Sequence, residues 1–252
     1  MIIVMKTVTF FFLMCTYTTS AQVKVNEIKM KIGSEFHKAK EPDVVFPVIS
    51  TNNKVVDDKI NFHAIKVLTA DDSTTDISKT LFRSMNEGLA ELDYAITLKT
   101  NDILSYRLDA RGCGAYCNSY SIYLNFDLQT GEPLKLEDVI NSKDLDSFRS
   151  MVLRDKIKAL KLEVKEKDSL LSEGTIDSSE YNFVLEHILR CMSEVNTDRF
   201  LLLKNEMQIV DPCELPHVMQ ALQPVYELEY SYKRIRKFIK PVFLEKMKLT
   251  PH

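Results

Sequence analysis

The sequence carries few of the marks of a nucleotide-binding or catalytic chain. It has no P-loop, no glycine-rich dinucleotide fingerprint, no internal repeat and no low-complexity segment. An HExxH zinc helix and a GxSxG nucleophile elbow are also missing. Basic charge is not in excess: 33 Lys and Arg face 36 Asp and Glu. That balance argues against the phosphate-neutralising surface that general nucleic-acid binding needs. Beyond the amino terminus no apolar run approaches the roughly 20 residues that cross a bilayer. Cysteine is scarce, 5 in 252 residues, so each one can be weighed by its position. What is present, 45% hydrophobic and 27% charged residues, is an ordinary globular composition.

The first residues read as a signal peptide. Lys6 gives a weakly basic start, Val8 to Met14 form an apolar run interrupted by Thr9, and Thr19-Ser20-Ala21 supplies small residues for cleavage. Cys15 follows Met14 rather than a small residue, which favours ordinary cleavage over lipid attachment. Removal of 1–21 takes Lys6 with it and leaves a net charge of about −4 by simple counting. The expected product is a secreted or periplasmic domain over 22–252, with 22–104 and 105–252 as candidate subdomains. Its mild acidity is compatible with a basic protein partner.

Four cysteines then remain: Cys113, Cys117, Cys191 and Cys213. In an oxidising compartment an even number favours two disulfides, and four cysteines allow three pairings. The local solution joins Cys113 to Cys117, where Gly112 and Gly114 give a tight loop its backbone freedom, and Cys191 to Cys213. A four-cysteine zinc site is the competitor, but only Cys113 and Cys117 have the close spacing such sites use. A thioredoxin-type motif would need two intervening residues, and this pair has three.

The hydropathy pattern predicts an α+β fold, an antiparallel sheet packed with several amphipathic helices. Val23–Ile32 alternates with one slip, as a strand with a bulge would, and Val44–Ile49 is extended. Helical spacing runs over 57–68 and 76–92. Tyr94–Leu98 and Ile103–Leu108 flank a hairpin turn at 99–102, and Ser119–Leu128 places Tyr120, Ile122, Leu124 and Phe126 on one face. After a turn at 129–132, helices are expected over 145–164 and 177–195, the second capped by Asp177 or Ser178. Strands follow over 199–203, 207–210 and 225–232.

Three segments carry a resemblance. Val45-Phe46-Pro47-Val48-Ile49 with Lys59-Ile60-Asn61, then Asn125 to Leu134 with Leu136-Glu137-Asp138-Val139-Ile140, then Phe200-Leu201-Leu202, Val210 to Pro216 and Tyr230-Ser231-Tyr232, resemble the RsiV-like family, or domain of unknown function 3298. That domain type occurs in the extracellular part of lysozyme-sensing anti-sigma factors and beside the catalytic domain of some peptidoglycan deacetylases. The resemblance implies an extracytoplasmic module that recognises an envelope component or a hydrolase such as lysozyme. Family members carry a Gly-Gly-Ala-His type turn before the central strand. Here Tyr116 stands where histidine is expected, between Cys113 and Cys117.

Candidates for catalysis are thin. His63 and His187 sit in helical patterns, while His37, His217 and His252 lie in loop-like sequence. Asp109 and Arg111 could form an active-site pair or a hairpin-end salt bridge. Glu87, Glu91 and Asp93 are carboxylates without a defined geometry. The run Lys233–Lys237 is either an anion-binding patch or the solvated face of a terminal helix. Aromatics offer the better lead: Tyr120 and Tyr123 point to opposite faces of a regular strand, so at least one is exposed. The reading is therefore a non-catalytic binding module with Tyr116, Tyr120 and Arg111 as ligand-binding candidates, and with no metal and no cofactor. A peptidoglycan-acting envelope enzyme and a structural envelope protein are the alternatives.

Overall fold

The computed structural model describes residues 23–31, 43–71 and 75–248. The expected leader, Cys15, His37 and His252 lie outside them. The strands form two sheets. One has the order β1 (Lys24–Met30), β2 (Val44–Ser50), β3 (Leu89–Lys99), β4 (Ile103–Cys113) and β5 (Cys117–Asp127). The other has β6 (Phe200–Leu202), β7 (Glu206–Ile209) and β8 (Leu228–Ser231). Helices α1 (Lys54–Thr69) and α2 (Ile77–Asn86) connect β2 to β3. The short α3 (Leu136–Val139), the long α4 (Leu145–Ser172) and α5 (Ser178–Cys191) precede β6, and α6 (Tyr232–Ile235) and α7 (Pro241–Lys246) follow β8. The fold is α+β.

Four expectations are corrected. The larger sheet is mixed rather than antiparallel, because the α1–α2 crossover returns the chain beside β2 in the same direction, with Val44 opposite Leu92. β1 and β2 pair without a register shift, and the irregularities fall in β3 at Leu89/Glu91 and Ile96/Leu98. The helix expected to reach Leu92 stops at Asn86, since Gly88 adopts φ 121° and turns the chain into β3. By contrast α4 continues past Val164 to Ser172, because nothing between 165 and 173 interrupts a helix before Gly174.

The first core packs α1 and α2 on one face of the larger sheet through Phe46, Ile60, Ala64, Leu81, Tyr106, Leu108 and Phe126. A second core gathers Phe148, Phe200, Met207, Tyr230 and Phe238 around the smaller sheet. Burial of each large apolar side chain among these contributes roughly 1.5–3 kcal/mol before conformational entropy is deducted. Asn61 anchors α1: its amide receives the Ile49 N–H (2.8 Å) and donates to the Ile49 carbonyl (2.7 Å).

The two sheets meet through a buried polar joint. Asn125 Nδ2 donates to the Phe200 carbonyl (2.8 Å), and the Leu202 N–H donates to Ser105 Oγ (3.1 Å) and Asn125 Oδ1 (3.2 Å). Thr97 Oγ1 donates to the Leu202 carbonyl (2.9 Å). Side chains of the larger sheet thus satisfy backbone groups of β6, which buried peptide units require.

Candidate functional site: a cleft beside the braced hairpin

Strand pairing fixes what the free part of the larger sheet displays. Glu91, Arg111 and Ser119 form one cross-strand row, and Asp93, Asp109 and Ser121 form the next. Arg107 pairs with Tyr123 in the row after that. Alternation sends these side chains away from Leu92, Leu108 and Ala110, which belong to the first core. Among the described residues β6 covers this face at its Ser105–Asn125 end and leaves the remainder open.

That open part floors a cleft of about 1860 Å³, whose opposite wall is built from Asp198, Arg199, Val210, Pro212, Glu214 and Gln223. The cleft is acidic: Asp43, Glu91, Asp93, Asp109, Asp198 and Glu214 line it, against Lys29, Arg111 and Arg199. Arg111 is neutralised by Glu91 at 3.0 Å and Arg199 by Glu214 at 3.5 Å. Asp109 is held by Arg107 (2.9 Å) and by the Ser121 hydroxyl (2.6 Å). The expected Asp109–Arg111 pair therefore does not form, because each residue has a nearer partner on its own row or strand.

Both walls are braced by disulfides. Cys113 and Cys117 are bonded, with Cα atoms 4.0 Å apart, and they close the β4–β5 hairpin. The Cys113 N–H donates to the Gly88 carbonyl at 2.7 Å, which seats the hairpin end on the α2–β3 turn. Cys191 and Cys213 are bonded, with Cα atoms 5.8 Å apart, tying the loop after β7 to the end of α5. Tyr116, 74% exposed at the hairpin tip, lies with its ring 5.4 Å from His217 on that loop. Tyr120 and Tyr123 both line the cleft. Tyr120 sits on the helix side of β5, with its hydroxyl pKa raised by burial, and Tyr123 sits on the polar side.

The remaining candidates are spread through the fold. His63 packs edge-on against Phe126 at 5.6 Å, and burial followed by the nearby Lys66 charge lowers its pKa. Among the described residues, His187, Cys191 and Cys213 form the one group with metal-ligand proximity, their ligand atoms all within 4.8 Å. The two sulfurs of that group are bonded to each other. In the basic run, Arg234 pairs with Asp155 at 2.6 Å and Lys237 lies over the Phe238 ring.

The sequence reading missed Asp198, Arg199, Glu214 and Gln223. They stand far along the chain from the floor they face, and no local pattern marks them. The clue nearest to hand was Asp211-Pro212-Cys213, a tied loop after a strand.

No protein-family model matches the sequence, and no curated protein does. Solved structures share the fold, two of them as follows. A member of the domain of unknown function 3298 family from Bacteroides fragilis is 14% identical, with a TM-score of 0.53 over 91% of this chain and 98% of that one. A protein of the same family from Pseudomonas aeruginosa PAO1 is also 14% identical, with a TM-score of 0.52 over 88% of this chain and 96% of that one. At this identity the likeness is one of fold. Among the described residues no helix is long and apolar enough to cross a membrane.

Proposed function

We propose that the protein is a secreted or periplasmic, non-catalytic recognition module, a single domain over 22–252, whose cleft receives a basic protein surface such as that of lysozyme. The acidic lining carries this reading: six carboxylates against three cations, each of the cations already matched, Lys29 by Glu27, Arg111 by Glu91 and Arg199 by Glu214. A cationic partner would find complementary potential there, which steers association and sets register. Tyr116, Tyr120 and Arg111 stand at the hairpin side of the cleft, where rigid aromatics and a guanidinium give contact area at small entropic cost. Two disulfides fit an oxidising compartment.

The test is a calorimetric titration of the exported protein with lysozyme, alongside the variants Asp109→Asn and Asp198→Asn. Saturable binding that weakens in both variants and with added salt supports the reading. Binding indifferent to both, or none, removes it. A titration with peptidoglycan fragments in parallel would reveal an envelope glycan as the ligand instead.

A further inference from the structure

We propose that the Cys113–Cys117 disulfide is a thiol–disulfide exchange site for a dithiol reductant, and that its opening releases the hairpin tip bearing Tyr116 while Cys191–Cys213 stays closed. The inference goes beyond the recognition reading and stands without it, since neither step involves a partner in the cleft. The two bonds sit in opposite surroundings. Cys117 is exposed, Cys113 is half-buried, and both line the open cleft. Cys213 is buried in a third core with Leu160, Val184 and Ile188, and Cys191 packs against that core. Exchange needs access for the incoming thiolate, so exposure decides which bond reacts.

Backbone pairing shows what the exposed bond holds. Cys113 stands opposite Cys117 on the β4–β5 ladder, with Cα atoms 4.0 Å apart. The Cys113 N–H, however, donates to the Gly88 carbonyl (2.7 Å), and the Cys113 carbonyl oxygen faces the same glycine. Both backbone groups of Cys113 thus turn away from β5, and the sulfur–sulfur bond is what closes this rung. Beyond it, Gly114-Ala115-Tyr116 is held by the Gly114 N–H on the Tyr116 carbonyl (3.0 Å) and by the Tyr116 ring beside His217 (5.4 Å). Among the described residues a Cβ on Gly114 would meet nothing within 4 Å, so the tip stands clear of the body. The rest of the hairpin keeps its own ladder from Ile103↔Asp127 to Gly112↔Asn118. Closing a sequence separation of 4 also restricts the unfolded chain less than closing one of 22. Opening this bond therefore frees the tip and leaves the fold standing.

The chemistry balances with a dithiol. One thiol of the reductant, as thiolate, attacks Sγ of Cys117, the more exposed end. A sulfur–sulfur bond forms to Cys117, the Cys113–Cys117 bond breaks, and Cys113 leaves as thiolate. The second thiol of the reductant then attacks the reductant's own sulfur in the mixed disulfide, which releases Cys117 as thiolate and closes the reductant into a disulfide. Two electrons pass from the reductant to the protein, and the two thiol protons end on Cys113 and Cys117. Cys113 keeps its seat on the Gly88 turn, whereas 114–117 gains freedom and Tyr116 leaves His217.

The experiment treats the full chain, exported and fully oxidised, with dithiothreitol in the absence of denaturant and quenches samples by alkylation at intervals. Cys113 and Cys117 should be alkylated at least about tenfold faster than Cys191 and Cys213. Glutathione, which lacks a second thiol, should be found on Cys117 rather than Cys113. In the selectively reduced protein, through-space proton contacts between the Tyr116 and His217 rings should vanish, while those between Tyr106 and Phe126 in the first core persist. Oxidised glutathione should restore the first set. Cys113→Ser combined with Cys117→Ser gives the open tip permanently, and if that variant fails to fold, the reversibly reduced parent decides. A reduced CxxC oxidoreductase run beside dithiothreitol tells a protein dithiol from a small one, and selective reduction by either supports the site. Reduction of both disulfides at one rate, glutathione on Cys113, Tyr116–His217 contacts that survive reduction, or loss of the Tyr106–Phe126 contacts overturns the proposal.

Discussion

The Tyr116 ring rests 5.4 Å from the His217 imidazole, joining the tip of one disulfide-braced element to a loop held by the other disulfide. This contact bridges the two walls of the cleft. Both residues are exposed, so it adds little to folding and is free to take part in binding. Tyr116→Ala should change unfolding free energy by less than about 0.5 kcal/mol, as for other surface substitutions. In lysozyme binding the same change should cost about tenfold. Parallel thermal melts and titrations check both halves; a large loss of stability would make Tyr116 a structural residue instead.

Gly88 is the second point of control over the hairpin. Its φ of 121° is one that side chains rarely adopt, and a Cβ there would lie 2.2 Å from the Cys113 carbonyl oxygen. Gly88→Ala should destabilise the protein by about 2–4 kcal/mol, combining backbone strain with displacement of the hairpin end. Chemical denaturation measures this directly. A loss under about 0.5 kcal/mol would mean that the close approach does not exist.

The same glycine shows where the sequence was hard to read. Leu81, Met85 and Leu89 keep helical spacing straight through Gly88, so periodicity alone carried the helix onward into a strand. The segment from Ser119 to Gly131 was legible because strand alternation and a glycine turn are local signals. The parallel meeting of Val44 and Leu92 was not, because a crossover sets it. For the site, Arg111, Tyr116 and Tyr120 stand out on one hairpin, while Asp198 and Glu214 reach the cleft only through tertiary folding.

Tyr106 tests the core. It is fully buried and stacked on Phe126 at 6.0 Å, and among the described residues its hydroxyl has no hydrogen-bond partner. Burial pushes its pKa far up. Since a buried unpaired hydroxyl is a cost, Tyr106→Phe should leave stability unchanged or raise it by about 1 kcal/mol. A fall of that size in a urea titration would reveal a partner for the hydroxyl.

Asp127 predicts a response to acid. Burial alone would raise its pKa, but the Lys246 ammonium and the N–H groups of Gln129 and Thr130 outweigh that and hold it below the usual 3.8. A carboxylate with a depressed folded pKa contributes stability that is complete above its unfolded value and is lost as pH falls through the folded one. Stability should therefore decline below about pH 4 partly through this group. Asp127→Asn should cost about 1–3 kcal/mol at neutral pH and flatten that acid limb. Melts from pH 7 to 2.5 compare the two, and an unchanged limb would remove Asp127 from the account.

A partner seated in the acidic cleft would shift the amide resonances of the residues that line it, and titration of the labelled protein with lysozyme reads those shifts. Perturbations should concentrate on Glu91, Asp93, Asp109, Ser121 and Asp198, with Tyr116 and His217 shifting at the rim. Perturbations confined to the outer faces of α4 and α5, or none at saturating lysozyme, would contradict a partner seated there.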